Sequence, residues 1–307
     1  MTISIEDLEH AAAAGWRACE EDRLGSWLLR AADGFTGRAN SALAAQDPGL
    51  PLAAAIEMVS SWYSERGLPP MIAVPYPPGQ PSASHLDGVL ADLGWPVRAD
   101  DATVMTADAD VVAAQADAAG LAEVEIDAEP DAAWLARYHY RGQQLPPVAI
   151  KLLTSAPWQA FGSVRSSGET IAIGRVAQAG DWAGLTAIEV DPRFRRQGLG
   201  TAITQALAAA AANRGVSNIY LQVTDGNAEA RCSTGGWALP TTTPTTTELP
   251  RPDPLRHPPP VRLLQVRIFL PKYGTFPRAL AGPNHSSSTG AVARAAGAVL
   301  QLWFAGN

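Results

Sequence analysis

Residues 188–201 restrict the fold of this 307-residue chain more than any other segment, because an apolar strand pattern runs there into a basic, glycine-tipped loop that opens a helix. The first N–H groups of such a helix have no carbonyl partner, and the positive end of its dipole favours a bound anion. Gly198 and Gly200 let a phosphate approach the backbone closely. Arg195 and Arg196 add donors that match phosphate geometry. The segment therefore predicts a phosphate-binding loop.

The segments on both sides give this loop an α/β setting. Residues 183–190 form a strand pattern, and the apolar, alanine-rich run of residues 200–213 is typical of a helix that ends before Gly215. Residues 216–223 then alternate as a half-buried strand and lead into the turn of residues 225–227. A basic loop with two glycines is by itself equally compatible with a helix start carrying solvated arginines. The order strand, loop, helix, strand favours the anion-binding interpretation.

These residues resemble the Gcn5-related N-acetyltransferase (GNAT) superfamily, from about Leu121 to Arg231. The family signature is a strand, an Arg/Gln-x-x-Gly-x-Gly/Ala loop and a helix, which Arg195, Gly198 and Gly200 match. Asn227-x-x-Ala230 fits the family's next landmark. The resemblance implies acetyl-coenzyme A (acetyl-CoA) as acyl donor, with its pantetheine on the strand and its pyrophosphate on the loop amides. The implied cofactor-binding residues are Ile188, Val190, Arg195, Arg196, Gln197, Gly198, Leu199, Gly200, Thr201 and Asn227.

Hydrophobic periodicity predicts alternating strands and helices along both halves of the chain. Strands are predicted at residues 27–30, 35–40, 71–74, 101–106, 122–126, 159–165, 169–178, 183–190 and 216–223, and helices at 52–66, 86–93, 131–138, 148–153 and 200–213. The first half thus has the element order of the latter part of an acetyltransferase domain. An unrelated α/β domain with the same order is the alternative.

The resemblance and the element order together predict an α/β chain of mixed α+β type with tandem acyl-CoA N-acyltransferase-like domains. Each domain would have a central mixed sheet flanked by helices. The first half has two prolines and no basic residue in its loop Gln46–Pro51, so we expect no coenzyme A (CoA) binding there. The predicted organisation is a degenerate GNAT-like domain at 1–106, a linker at 107–119, the acetyl-CoA-binding domain at 120–231 and a Pro/Thr-rich tail of low order at 232–307.

The composition changes after Arg231. Eleven of the 25 prolines fall in the last 76 residues, and residues 241–247 are threonine except for Pro244. Such composition is typical of a disordered or irregular tail. The family pattern runs Asn-x-x-Ala-x-x-Leu-Tyr and, four residues on, Gly-Phe, but Ser233 and Thr234 occupy the Leu and Tyr positions here.

A shifted reading frame would account for this departure. Read from the third base of the Cys232 codon, the neighbouring frame permits Leu and then Tyr, forces Gly where Trp237 meets Ala238, and permits Phe from Ala238 and Leu239. One base lost near Cys232 would produce the observed residues. We therefore hypothesise that the chain after about Arg231 is a frameshifted extension, with a natural tail as the alternative.

Acetyl transfer to an amine needs a neutral nucleophile, a polarised thioester carbonyl and a proton donor for the leaving thiolate. By resemblance, the backbone N–H of Val190 polarises the carbonyl, and the family's Tyr would protonate the thiolate. Glu189, on the cofactor strand, is a candidate general base, with a solvated strand carboxylate as the alternative. His139 lies where the family's acceptor-binding loop would fall and is a second candidate. A surface histidine between packed tyrosines is the alternative there.

Charge restricts the class of partner. Residues 232–307 carry seven Lys or Arg and two Asp or Glu, which gives a net charge of +5. Since the whole chain has a net charge of −7, the first 231 residues have a net charge of −12. An acidic body disfavours nucleic acid and suits an amine or another cationic acceptor. The chain has no apolar run of about 18 residues, so we expect no membrane span. It has no basic N-terminal region, so we expect no signal peptide. We therefore expect a cytoplasmic protein.

Metal and disulfide chemistry have little basis in this sequence. The two cysteines are far apart and the five histidines are scattered, so we expect no metal site and no disulfide framework. The predicted function is N-acetyl transfer from acetyl-CoA by direct attack of a small primary amine or a protein amino group. A catalytically weak acyl-CoA-binding sensor and a non-functional product of a frameshifted gene are the alternatives.

Overall fold

The computed structural model describes residues 4–77, 85–97, 102–114, 122–139, 145–224 and 262–269. The chain divides into two units, of which the first comprises residues 1–101, 138–156 and 266–307 and the second comprises residues 102–137 and 157–265. Each unit has its own cluster of buried apolar side chains.

The first 97 residues contain three helices and four strands within their described part. In chain order they are α1 (Ile5–Gly15), β1 (Glu20–Leu24), β2 (Trp27–Ala31), β3 (Ala42–Leu43), α2 (Leu52–Glu65), β4 (Ile72–Tyr76) and α3 (His85–Asp92). Strand β2 is antiparallel to β1 and to β3, and β3 is parallel to β4. The core of this unit is built around fully buried side chains such as Trp27, Tyr63, Ile72 and Leu90.

The remaining described residues contain four helices and seven strands. They are β5 (Ala102–Asp108), α4 (Ala109–Ala113), β6 (Glu125–Asp127), α5 (Ala132–Arg137), α6 (Pro147–Leu153), β7 (Trp158–Ser166), β8 (Glu169–Ala179), β9 (Trp182–Val190), α7 (Leu199–Ala212), β10 (Asn218–Thr224) and β11 (Arg262–Phe269). Helix α6 belongs to the first unit. The backbone N–H of Arg17 donates to Ser155 Oγ at 3.0 Å, within the same unit.

The sheet of the second unit is mixed, in the order β5-β10-β9-β8-β7-β6. Strand β10 is parallel to β9, and the other neighbours are antiparallel. Helix α7 lies on one face of this sheet because its apolar side chains, among them Ile203 and Leu207, are fully buried in the core. Gly174 in β8 permits this close packing, since a Cβ there would overlap Ile203 Cγ2 and lie 2.9 Å from Leu207 Cδ1.

We expect Gly174→Ala to lower the free energy of unfolding of the second unit by about 1–3 kcal/mol, the usual result of overfilling a packed core. Gly200→Ala is the matched control, because its Cβ would lie at an ordinary 3.9 Å from Val190 Cγ2. Urea unfolding followed by tryptophan fluorescence measures both variants. Equal stabilities for the two would show that α7 is not packed against β8 at Gly174.

The prediction of a strand at residues 35–40 was wrong. This segment is a loop in which Asn40 Oδ1 accepts from the N–H groups of Ala32 at 2.8 Å and Gly34 at 3.0 Å. The Asn40 amide also donates to the carbonyls of Phe35 and Thr36, both at 2.8 Å. A side chain that satisfies its own neighbouring backbone competes with strand pairing, which explains the error.

Strand β5 pairs with β10 from Ala102↔Thr224 to Asp108↔Asn218, in the second unit. The sequence pattern placed residues 101–106 at the end of the first half, because periodicity identifies a strand but not its partner. We expected residues 107–119 to link the two halves, with a short helix as one form of this linker, and Ala109–Ala113 in that range form helix α4 with Ala109 and Val112 buried. In the segment from Cys232 onward, where we expected low order, residues 262–269 form strand β11.

None of the helices in the described part of the chain combines the length and the hydropathy that a membrane crossing requires.

Candidate functional site

The predicted phosphate loop lies between β9 and α7. Strand β9 ends at Val190, Pro192–Phe194 form one 3₁₀ turn, and Gly198 is the N-cap of α7 with φ +78°. Only glycine takes this left-handed backbone conformation without strain, which explains its place in the motif. The first intrahelical hydrogen bond runs from Ala202 N to Gly198 O at 2.9 Å. The amides of residues 199–201 therefore have no carbonyl partner within the helix.

The loop side chains differ in exposure. Arg195, Arg196, Gln197 and Gly198 are exposed, and Gly200 and Thr201 are half-buried. The side chain of Leu199 is buried in the core with 6% exposure, so this residue offers a ligand only its backbone N–H. The structure thus places seven of the predicted cofactor-binding residues together around one helix N-terminus.

Among the described residues, no strand pairs with the last five residues of β9 on the side of β10, and we call this part of the strand the open edge of β9. Its parallel pairing with β10 runs from Trp182↔Asn218 to Leu185↔Leu221, and β9 then continues for five more residues to Val190. On its other side β9 stays paired with β8 to Ala172↔Val190, with a register shift between Ile173 and Arg175. An edge of this kind can bind an extended ligand by main-chain hydrogen bonds.

Strand alternation identifies the backbone groups that face the open edge. Asp191 N donates to Ile171 O at 2.8 Å, so the N–H of Asp191 points toward β8. Successive residues of a strand point their N–H and C=O groups to opposite edges. The N–H and C=O of Val190 therefore face away from β8, and Arg195 Nε donates to Val190 O at 3.4 Å. Polarisation of a thioester carbonyl by the Val190 N–H stays a prediction.

The two predicted general bases have different environments. Glu189 is half-buried on β9 and is the cross-strand neighbour of Ile173. Its side chain lies on the sheet face opposite to those of Ile188 and Val190, since side chains alternate along a strand. His139 is exposed and belongs to the first unit. Asn227 and Thr234 lie outside the described residues.

A buried carboxylate that the sequence reasoning missed begins the loop. Asp191 is 4% exposed, and its Oδ2 forms an ion pair with Arg137 Nη2 at 2.8 Å. Asp191 Oδ1 accepts from Arg193 N at 2.9 Å and from Arg193 Nε at 3.1 Å. The Asp-Pro dipeptide directly after a strand is a turn signal that indicates such a cap. Nothing local indicates the partner Arg137, which is 54 residues away.

The hydrogen bonds from the Arg193 side chain and backbone, together with the charge of Arg137, hold the pKa of Asp191 well below its ordinary value, although burial acts in the opposite direction. A carboxyl with a lowered folded-state pKa contributes stability above its unfolded-state pKa, which is about 3.9. This contribution is lost as the pH falls toward the folded-state value.

We therefore expect Asp191→Asn to lower the free energy of unfolding at neutral pH, and we expect its difference from the unmodified chain to shrink below about pH 4. Urea unfolding from about pH 7 to about pH 3 measures this difference. Asp181→Asn, at the exposed turn between β8 and β9, is the control at neutral pH, where a surface change stays within about 0.5 kcal/mol. A difference for Asp191→Asn that is independent of pH would rule out an electrostatic origin.

The chain is similar to known proteins in sequence and in fold. The family model described as "Probable histone acetyltransferase Rv0428c C-terminal" matches residues 2–238. The chain belongs to this family. It is 33% identical over 232 residues to the "Probable histone acetyltransferase Rv0428c" of Mycobacterium tuberculosis, covering 73% of this chain and 67% of that protein. It is 27% identical over 231 residues to the "Uncharacterized N-acetyltransferase YobR" of Bacillus subtilis, covering 74% of this chain and 90% of that protein.

The solved structures agree on the fold. A GCN5-related N-acetyltransferase from Kribbella flavida has a TM-score of 0.57 at 16% identity, over 89% of this chain and 97% of that one. A conserved protein of unknown function from Staphylococcus epidermidis has a TM-score of 0.56 at 9% identity, over 88% and 98%. The predicted GNAT membership and the mixed acyl-CoA N-acyltransferase-like fold are therefore confirmed. This GNAT protein is an acyltransferase whose relatives are named for acetyl transfer.

Within the described ranges, no group of three or more His, Cys, Asp or Glu side chains is placed to hold a metal ion.

Proposed function

We propose that this GNAT protein transfers an acetyl group from acetyl-CoA to a primary amine by direct attack, without an acyl-enzyme. The observation that carries the proposal is the open edge of β9 beside the N-terminus of helix α7. The edge matches an extended pantetheine arm, and the loop amides match a pyrophosphate. Both lie within a single continuous run of residues, 186–201.

Both backbone groups and side chains of the loop would bind the donor. In this proposal the amides of residues 199–201 hold the pyrophosphate, and Gly198 and Gly200 leave room for it. The exposed Arg195 and Arg196 supply positive charge around it. Ile188 and Val190 pair with the pantetheine, and Asn227 adds a hydrogen bond to the donor.

Carbonyl polarisation is assigned to a backbone group of β9, and base catalysis is assigned to Glu189 on the same strand or to His139 of the first unit. The N–H of Val190 faces the open edge, where it would bond the thioester oxygen as negative charge develops on it. Glu189 or His139 would accept a proton from the acceptor nitrogen, so that the amine attacks the thioester in its neutral form. A backbone donor costs little to reorganise during the reaction, because strand pairing with β8 already fixes it.

We propose a cationic amine as the acceptor. The net charge of −12 over residues 1–231 attracts such acceptors and concentrates them near the protein. The relative in Mycobacterium tuberculosis is named a probable histone acetyltransferase, which makes a lysine of a basic protein one acceptor to test. Small polyamines belong to the same chemical class.

Isothermal titration with acetyl-CoA tests the donor assignment, and thiol release in the presence of an amine panel tests turnover. We expect saturable binding at one site per chain and thiol release that depends on the amine. The panel contains a basic peptide, a polyamine and a neutral amino-acid amide. Binding without amine-dependent thiol release would reduce the proposal to the sensor function. No binding would refute both.

An acyl-CoA sensor is the second candidate, and a specific observation favours it. The family match ends at residue 238, close after Arg231, and the family's Tyr position is occupied by Thr234. An aliphatic hydroxyl is too weakly acidic to protonate a thiolate well. In this chain the donor-binding residues are therefore better preserved than those needed for turnover.

We also propose that the first half is a GNAT-like domain that has lost donor binding. Its helix α2 begins after Pro51, and no side chain caps the helix. The loop before it contains Pro48 and Pro51, which have no N–H, and no basic residue. A titration of acetyl-CoA that saturates at one equivalent supports this proposal, whereas two equivalents would contradict it.

A further inference from the structure

We propose that Arg137 and Asp191 are positioning residues that hold the phosphate loop in its anion-binding shape. The inference rests on the proposed function of the loop, and it adds two residues that do not themselves touch the donor. They lie in the second unit, one at the end of α5 and the other at the start of the loop.

Arg137 bridges two segments that flank the loop. Its Nη2 binds Asp191 Oδ2 at 2.8 Å, and its Nε donates to the carbonyl of Thr170 at 3.1 Å. The side chains of Arg137 and Asp191 are 18% and 5% exposed. A guanidinium is suited to this task because its donors have fixed directions. It therefore locks the first loop residue to the start of β8.

Asp191 also forms hydrogen bonds with the next residues of the loop. Its carboxylate caps the 3₁₀ turn through Arg193 N, and its carbonyl accepts from Phe194 N at 2.8 Å. Its own N–H is bonded to Ile171 O at 2.8 Å. The N–H, the carbonyl oxygen and both carboxylate oxygens of Asp191 thus each have a partner, so the direction in which the chain leaves β9 is set before Arg195.

The Asp191 carboxylate also gives Arg193 a different role from the other two arginines of the loop. Arg193 Nη2 binds Asp191 Oδ2 at 2.9 Å and Glu169 Oε1 at 2.7 Å, so two carboxylates hold its charge. Arg195 and Arg196 follow on the exposed part of the loop. The network would therefore keep Arg193 away from the anion and leave Arg195 and Arg196 to face it.

Binding of two donor fragments distinguishes positioning from a general loss of structure. Acetyl-CoA uses the phosphate loop, whereas S-acetylpantetheine has no phosphate and uses only the β9 edge. We expect Arg137→Gln and Asp191→Asn to weaken acetyl-CoA binding by about ten- to hundredfold, by analogy with the loss that follows replacement of residues that orient the ligands of a metal site. The affinity for S-acetylpantetheine should change by less than about threefold. Arg137→Lys should have an intermediate effect, because an ammonium cannot bond both partners in the same fixed geometry.

Arg165→Gln is the matched control. Arg165 bonds Asp131 Oδ2 at 3.0 Å and Glu125 Oε2 at 2.9 Å at an exposed position in the same unit, and neither of these partners belongs to the loop. Hydrogen exchange of the peptide 192–201 without ligand gives an independent readout. We expect faster exchange in Arg137→Gln and Asp191→Asn, and unchanged exchange in Arg165→Gln.

The outcomes are separable. Equal weakening of both donors, or unchanged acetyl-CoA binding with unchanged exchange, would overturn the positioning role. If the unmodified chain does not bind acetyl-CoA, the proposed function fails. The exchange data then decide by themselves whether Arg137 and Asp191 hold the loop.

Discussion

Arg195→Ala combined with Gly198→Glu is expected to weaken acetyl-CoA binding by about a hundredfold or more. The glutamate places a negative charge at the N-cap of α7, where the donor pyrophosphate would lie, and like charges in contact cost several kcal/mol. At 1.4 kcal/mol per factor of ten, about 3 kcal/mol gives this hundredfold loss. Loss of the exposed Arg195 removes attraction at the same place. Isothermal titration measures the change.

Two further variants separate charge from backbone strain. Gly198 has φ +78°, and a side chain other than that of Asn or Asp is disfavoured in this conformation. Gly198→Asn tests a neutral side chain that tolerates it, and Gly198→Ala tests strain without charge. We expect both to bind acetyl-CoA at least about tenfold more tightly than the glutamate variant. A glutamate variant that binds as well as the alanine variant would contradict a phosphate at this helix N-terminus.

The loop and its flanking elements could be predicted because their signals are local. Residues 200–213 predict α7 within one residue of the observed Leu199–Ala212, and residues 183–190 predict β9 equally well. The apolar period fixes the element type, and Gly198 and Gly215 fix the ends, since both have positive φ. The motif marks the helix N-terminus, so the proposed anion site could be derived from about a dozen consecutive residues.

Features that depend on long-range contacts could not be predicted. The end of the β9–β10 pairing at Leu185 depends on how two strands diverge in space. The pair Arg137–Asp191 joins residues that are distant in sequence. Strand β5 was recognised, but its pairing with β10 was not, because alternation of apolar residues does not name a partner.

Strand β1 shows a different limitation of prediction from sequence. The strand at Glu20–Leu24 is charged and mostly exposed, and it lacks the apolar alternation on which strand prediction depends. It exists because the backbone of β2 offers a complete ladder from Glu20↔Ala31 to Leu24↔Trp27. Its formation is therefore a property of the neighbouring strand, and its own residues give little indication of it.

Restoring one base immediately before the second base of the Cys232 codon is expected to raise the turnover number for acetyl transfer by about 10²- to 10⁴-fold. This insertion places the permitted leucine at position 233, the permitted tyrosine at position 234 and the forced glycine at position 238, in the spacing of the family pattern. The tyrosine would supply the proton that the departing thiolate needs. The donor loop lies upstream and is unchanged, so the KM for acetyl-CoA should change much less than the turnover number.

The tyrosine and the frame are tested separately. A restored-frame chain with phenylalanine in place of that tyrosine should lose most of the gained turnover while it still binds acetyl-CoA. Thr234→Tyr in the present frame should gain little, because the residues after it still depart from the family pattern. Sequencing the gene gives the decisive control: codons that do not spell Leu-Tyr and Gly-Phe in the shifted frame would rule out the frameshift. Equal turnover in both frames would instead show that the tyrosine is not the group that protonates the thiolate.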